Sequence, residues 1–99
     1  MWYAIISEDV EDSLPLRVDA RQAHLMRIQK LVATNRILIA GPHPAIDSEE
    51  PGDKGFTGSL IVADFPSLVD ARAWANADQY VSDGVYASVR VKPFKLILP

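Results

Sequence analysis

Few side chains in this sequence could do acid–base chemistry near neutral pH, because its 99 residues include two histidines and no cysteine. Disulfides, thiolate nucleophiles and Cys-based metal sites are thereby excluded. His24 is the more telling histidine. Ala20, His24, Ile28 and Leu31 follow the i, i+4, i+8, i+11 spacing that lines one face of a helix. That face should lie against a core, so the imidazole is expected to point inward, where it can change charge near neutral pH. Arg21 and Arg17 project close to the same line one turn earlier. The stripe therefore turns basic at its N-terminal end, as an edge of core open to an anionic ligand would. Plainer alternatives stand beside this reading: a core histidine bonded to a backbone carbonyl, and arginines paired with surface acids.

A histidine base needs a partner to fix its tautomer and stabilise the imidazolium, and a carboxylate is the usual choice. Asp78 is the candidate, because it follows a second helical segment that would pack beside the first. An aspartate before a short helical turn is also an ordinary N-cap, and the two roles are compatible in a group with two oxygens. His43 lies between Pro42 and Pro44 and is expected to be exposed. No tight ligand spacing joins His24, His43 and Asp78, so no metal site is expected. Gly58-Ser59 precedes a strand rather than a helix and is not a phosphate loop.

The length is that of one domain, spanning 1–99, with room for a two-layer core. Hydrophobic residues at 48% and charged residues at 23% are ordinary for a soluble globular protein. A net charge of −3 argues against nucleic acid as partner. The apolar run from Met1 to Ile6 lacks a basic flank and is too short for a signal peptide or a membrane span. A cytoplasmic protein with no membrane partner is the expectation.

The elements that must position these residues follow from pattern and punctuation. Trp2 to Ser7 reads as a strand, and Glu8 to Val18, with Pro15, as a connector. Asp19 with Gln22 forms a capping box that opens a helix running to Ala33. Ile37 to Ala40 is a second strand. The stretch from Pro42 to Gly55, with three prolines and two glycines, reads as a long loop. Phe56 to Phe65 is a third strand, Ser67 with Asp70 caps a second helix, and a short turn from Asp78 to Asp83 ends at Gly84. The last strand runs from Val85 to about Leu98. The order strand, helix, strand, strand, helix, strand predicts an α+β, ferredoxin-like βαββαβ sandwich: a four-stranded antiparallel sheet with two helices on one face. Leu60 to Ala63 is apolar without alternation, which predicts burial on both faces and a second copy of the chain over the far face.

Several motifs taken together resemble the YciI-like family, in particular its short bacterial single-domain members, over nearly the whole length. They are Ala23-His24-Leu25, Ala40-Gly41-Pro42 with Pro44-Ala45, Gly55-Phe56-Thr57-Gly58-Ser59, Ala73-Trp74-Ala75 followed by Asp78 and Tyr80, Gly84-Val85-Tyr86, and Val91-Lys92-Pro93-Phe94-Lys95. The resemblance implies a homodimer formed sheet to sheet, a dimeric α/β barrel, with a site centred on a histidine and an aspartate that map to His24 and Asp78. Family members commonly carry Asp-Pro-Tyr or Asp-Pro-Phe where this sequence has Asp78-Gln79-Tyr80, so the rigidity a proline would add is missing here. One relative dehydrochlorinates a chlorinated hydroxyquinol, and muconolactone isomerases share the wider fold. The expectation is a small cofactor-free enzyme in which His24 takes a proton next to a carbonyl and Asp78 holds the imidazole. The reaction would be an elimination, a dehydrochlorination or an isomerisation of a small anionic or cyclic substrate. Arg21 and Arg17 would attract the substrate's charge, and Ser59 and Tyr80 would be hydrogen-bonding walls. The competing reading is a non-catalytic module that binds or senses a metabolite. The site is expected to open at the N-terminal end of the first helix, rimmed by residues 42–55.

Overall fold

Alternation along the first strand sets the layers. Tyr3, Ile5 and Ser7 are buried, whereas Trp2, Ala4 and Ile6 between them are only half-buried, the signature of a sheet with one covered face. The computed structural model describes residues 1–99. Its elements are β1 (Trp2–Asp9), α1 (Leu14–Ala33), β2 (Ile37–Pro44), a short 3-10 turn (Gly52–Lys54), β3 (Phe56–Asp64), α2 (Leu68–Asn76), α3 (Gln79–Ser82) and β4 (Tyr86–Phe94). The four strands form one antiparallel sheet in the order β2-β3-β1-β4. This is the ferredoxin-like arrangement that the order of elements predicts.

The main core gathers Tyr3 and Ile5 of β1, Ile61 and Ala63 of β3, Leu31 of α1, and Ala71 and Ala75 of α2. The alanines keep α2 close to the sheet. Ala20, Tyr80 and Val85 form a second cluster, where α1 meets α3, and the site grows out of it. Ser67 caps α2 as expected, accepting the Asp70 N–H at 3.1 Å. Gly58 permits the close approach of β1 and β3, since a Cβ there would lie 2.2 Å from the Ser7 carbonyl oxygen.

Three boundaries differ from the sequence reading. First, α1 begins at Leu14, so Asp19 is an exposed residue inside the helix and not its cap. Pro15 falls in the first turn, where a missing N–H costs nothing. Ser13 holds the cap position without capping, because its hydroxyl donates to Asp9 instead. Second, β2 continues through Pro44: it is an edge strand, and an edge tolerates prolines. The remainder of the 42–55 stretch is a β2–β3 connection closed by Ala45 N–H on Gly55 O at 2.9 Å. Third, β4 stops at Phe94 rather than near Leu98.

The helices cover one sheet face. On the other, Ala4, Ile6 and Leu60 are half-buried beside buried Val62. No helix is long and apolar enough to cross a membrane.

Candidate active site

The imidazole of His24 leaves the middle of α1 and meets Asp78, 54 residues away in sequence. Nδ1 lies 2.9 Å from Asp78 Oδ1 and 3.0 Å from Oδ2, with both residues buried. Asp78 is also the N-cap of α3: Oδ1 accepts the Tyr80 N–H at 2.9 Å. The alternative roles weighed for it thus coexist, and the cap fixes the carboxylate that Gln79, in place of proline, leaves less constrained.

A neighbouring cation is Arg27, one turn after His24 and absent from the sequence reading, which pairs with Asp78 by charge and not by a hydrogen bond. Its Nη1 stands 3.2 Å from Asp78 Oδ2. Nη2 donates to the Trp74 carbonyl at 2.6 Å, and the guanidinium lies over the Trp74 ring, 4.4 Å from its centroid. Burial alone would raise the Asp78 pKa. The hydrogen bonds from His24 and the Tyr80 N–H, with the charges of His24 and Arg27, outweigh it and hold the carboxyl below its ordinary value.

An ionised Asp78 can only accept, so His24 Nδ1 must carry the proton and the neutral ring has its lone pair on Nε2. Nε2 makes no hydrogen bond within the protein and is not sealed from solvent. The ring is fixed from the side as well. Tyr80 stacks on it at 3.9 Å between centroids and 6° between planes, and Tyr86 meets it edge-on at 6.4 Å. An imidazolium formed here would sit against the Tyr80 π face.

His24 borders a cleft of about 490 Å³ between α1 and the edge strand β2, within the roughly 300–1,000 Å³ of small-molecule sites. Leu25, Ile28 and Val32 continue its α1 wall, and Ile37 to Pro42 form the wall opposite. Arg21, Arg17, Ser59 and Tyr80 border it too, so all the residues singled out in the sequence except Asp78 line it, and Asp78 stands directly behind His24. Their states differ. Arg21 is exposed and has no ion-pair or hydrogen-bond partner in the protein. Arg17 is only 6% exposed. Its Nε and Nη2 reach Asp9 at 2.6 and 3.0 Å, and Nη2 also donates to Gly58 O at 2.9 Å and Ser59 Oγ at 3.0 Å. Burial opposes its charge, and the carboxylate of Asp9 more than restores it, raising the Arg17 pKa.

The Tyr80 hydroxyl donates to the Arg17 carbonyl at 3.4 Å, so its ring rather than its oxygen meets the cleft. Burial raises its pKa against the pull of Arg17 and Arg21. The Tyr86 hydroxyl donates to Ser59 Oγ at 3.1 Å, and burial pushes its pKa up to about 12.

The opening extends further than the sequence placed it. It runs along α1 from Arg17 near the N-terminus to Val32 near the C-terminus, and of the expected 42–55 rim only Pro42 borders it, while residues 45–55 take no part in lining it. That segment, with Ala45, Asp53 and Lys54, instead borders a separate acidic hollow beside Glu8, Asp9 and Glu11. His43 is exposed, and no three His, Asp or Glu side chains come together as a set of metal ligands. Asp9 and Tyr86 join Arg27 as site residues that the sequence reading missed. The only signal for Asp9 was a carboxylate shortly after the apolar run of the first strand.

The match to known proteins extends over the same length. The model of the YCII-related domain matches residues 1–95. The YciI proteins of Escherichia coli and Shigella flexneri are each 54% identical over 97 residues, covering 98% of this chain and 99% of theirs. A protein of Haemophilus influenzae, named only as uncharacterized, is 50% identical over the same length. Among solved structures, 5-chloro-2-hydroxyhydroquinone dehydrochlorinase (TftG) of Burkholderia phenoliruptrix, in complex with 2,5-dihydroxybenzoquinone, superposes with a TM-score of 0.84. It is 27% identical over 96% of this chain and 94% of its own. With the fold, the full-length family match and these identities in agreement, the chain belongs to the family of YCII-related domains.

Proposed function

We propose that this protein is a small cofactor-free enzyme in which His24 acts as a general base and Asp78 orients it. The observation that carries the reading is the divided histidine: Nδ1 is held on both oxygens of a buried carboxylate, and Nε2 is left free at a cleft. A base so arranged takes a proton from carbon beside a carbonyl, while Asp78 stabilises the imidazolium that results. In a dehydrochlorination the C–H electron pair becomes the new double bond and chloride leaves with its own bonding pair. In an isomerisation the proton returns at another carbon. The dehydrochlorinase activity of the structural neighbour, and the quinone bound to it, support a cyclic, oxygen-bearing substrate. Arg21, the unpaired cation at the cleft, would draw an anionic one.

We further propose that two chains associate through the helix-free sheet face and act in the cytoplasm. A stable monomer by light scattering at micromolar concentration would contradict the dimer. The test of the enzyme reading is His24→Ala assayed on chlorinated hydroxyquinols and related cyclic ketones. Turnover should fall by about 10²–10⁴-fold while the fold persists. Loss of metabolite affinity alone, with no turnover by the wild type on any such compound, would favour a binding or sensing module instead.

A further inference from the structure

Ser59 has a proton that the protein does not use. The residue sits in β3, 4% exposed, on the wall of the cleft that His24 borders. Its oxygen receives Arg17 Nη2 at 3.0 Å and the Tyr86 hydroxyl at 3.1 Å. A serine hydroxyl has two acceptor sites and one donor, so both acceptor sites are filled. Arg17 cannot exchange roles, because a guanidinium has no acceptor site, and in the hydroxyl pair the more acidic phenol of Tyr86 is the better donor. With Tyr86 donating, the Ser59 proton reaches no acceptor within the protein, and an unused donor in a buried hydroxyl is costly unless something else takes it.

We propose that Ser59, locked as a donor by Arg17 and Tyr86, is the oxyanion-binding group of this cleft, which therefore selects ligands presenting a carbonyl, enolate or phenolate oxygen. The inference rests on the general-base reading and specifies its substrate. His24 Nε2 accepts and Ser59 donates, the complement of an H–C–C=O unit. When His24 removes the proton, the C–H pair becomes a C=C bond and the carbonyl π pair moves onto the oxygen that Ser59 faces. No oxidant or reductant is required. A donor already aimed at the developing charge stabilises it without reorganisation, and donation from Arg17 and Tyr86 polarises the hydroxyl further.

The test needs no natural substrate. 4-Nitrophenolate and 4-nitrotoluene share a ring and a nitro group, but only the first offers a charged acceptor. The wild type should bind the phenolate about tenfold or more tightly, with a blue shift of its absorption band as the oxygen receives a hydrogen bond. Ser59→Ala should abolish the band shift and most of the preference, and Ser59→Thr should keep both. Tyr86→Phe, which frees one acceptor site on Ser59, should weaken the shift even if Ser59→Ala fails to fold. His24→Ala should retain the shift, so failure of the base and failure of the oxyanion group are separable. An unchanged band shift in Ser59→Ala or Tyr86→Phe, or a wild type without preference for the phenolate, would overturn the proposal.

Discussion

Helix α1 carries two buried acid–base pairs, and they are built to opposite ends. In the Arg17–Asp9 pair, Nε and Nη2 of the guanidinium are occupied by Asp9, Gly58 O and Ser59, and Asp9 also takes the Ser13 hydroxyl at 2.6 Å. The side chains are 7% and 1% exposed. In the His24–Asp78 pair the carboxylate is engaged by hydrogen bonds from His24 and the Tyr80 N–H and by the charge of Arg27, yet the base keeps one nitrogen unengaged at a cleft. The Arg17–Asp9 pair spends Nε and Nη2 inside the protein, and the remaining Nη1 can donate but never take a proton, so this pair ties strand to helix rather than serving as a base. A pair with one vacancy on the base is poised for proton transfer. The two are joined: Tyr80 stacks on His24, bonds the Arg17 carbonyl and lies 5.2 Å from the Arg17 guanidinium. The first pair thus holds the wall against which the second works.

The largest effect should come from breaking the Arg17–Asp9 pair. Asp9→Ala leaves the Arg17 charge buried without its counter-ion, and urea unfolding should show a loss of about 3–5 kcal/mol. A double replacement, Asp9→Leu with Arg17→Met, should recover much of it, because the cost lies in the orphaned charge. If Asp9→Ala were as stable as the wild type, the contrast between the pairs would collapse.

A smaller effect is expected at Arg27. Arg27→Met removes the cation that faces Asp78 and should lower turnover roughly tenfold, with the Asp78 pKa rising toward its ordinary value. The sign for stability follows. A carboxyl whose folded pKa is depressed adds stability above the unfolded value, lost as pH falls from about 4 through the folded pKa. Acid unfolding of Arg27→Met should therefore depend less steeply on pH below about 4. An identical acid limb would remove Arg27 from the dyad. The smallest effect is spectroscopic. The Tyr86 pKa of about 12 means the folded protein loses stability as pH rises from the ordinary tyrosine value of 10.0 toward that point. Tyr86→Phe should flatten that alkaline slope and remove a phenol that ionises near 12 from the ultraviolet titration.

The order of elements was readable because alternation in β1 and the apolar stripe of α1 are local patterns. His24 stood out for the same reason, as a polar residue where the stripe called for an apolar one. Asp78 was reachable from its place after α2 and from the family's motif. What local pattern could not supply was the meeting of distant segments. Arg27 earns its role from Trp74, 47 residues on, and Asp78, Tyr86 from Ser59, and Asp9 from Arg17. The start of α1 was misjudged because Pro15 reads as a breaker, though in a first turn it is harmless. The cleft is correspondingly longer than expected: from Arg17 near the helix N-terminus it continues past the middle to Val32.

The most direct test of the account is the protonation of each His24 ring nitrogen by ¹⁵N NMR in the free protein at mildly alkaline pH. Nδ1 should be protonated and held by Asp78 and Nε2 unprotonated, with the Nδ1–H signal perturbed in Asp78→Asn. A proton on Nε2, or a His24 spectrum indifferent to Asp78→Asn, would show that the base does not face the cleft and would contradict the account.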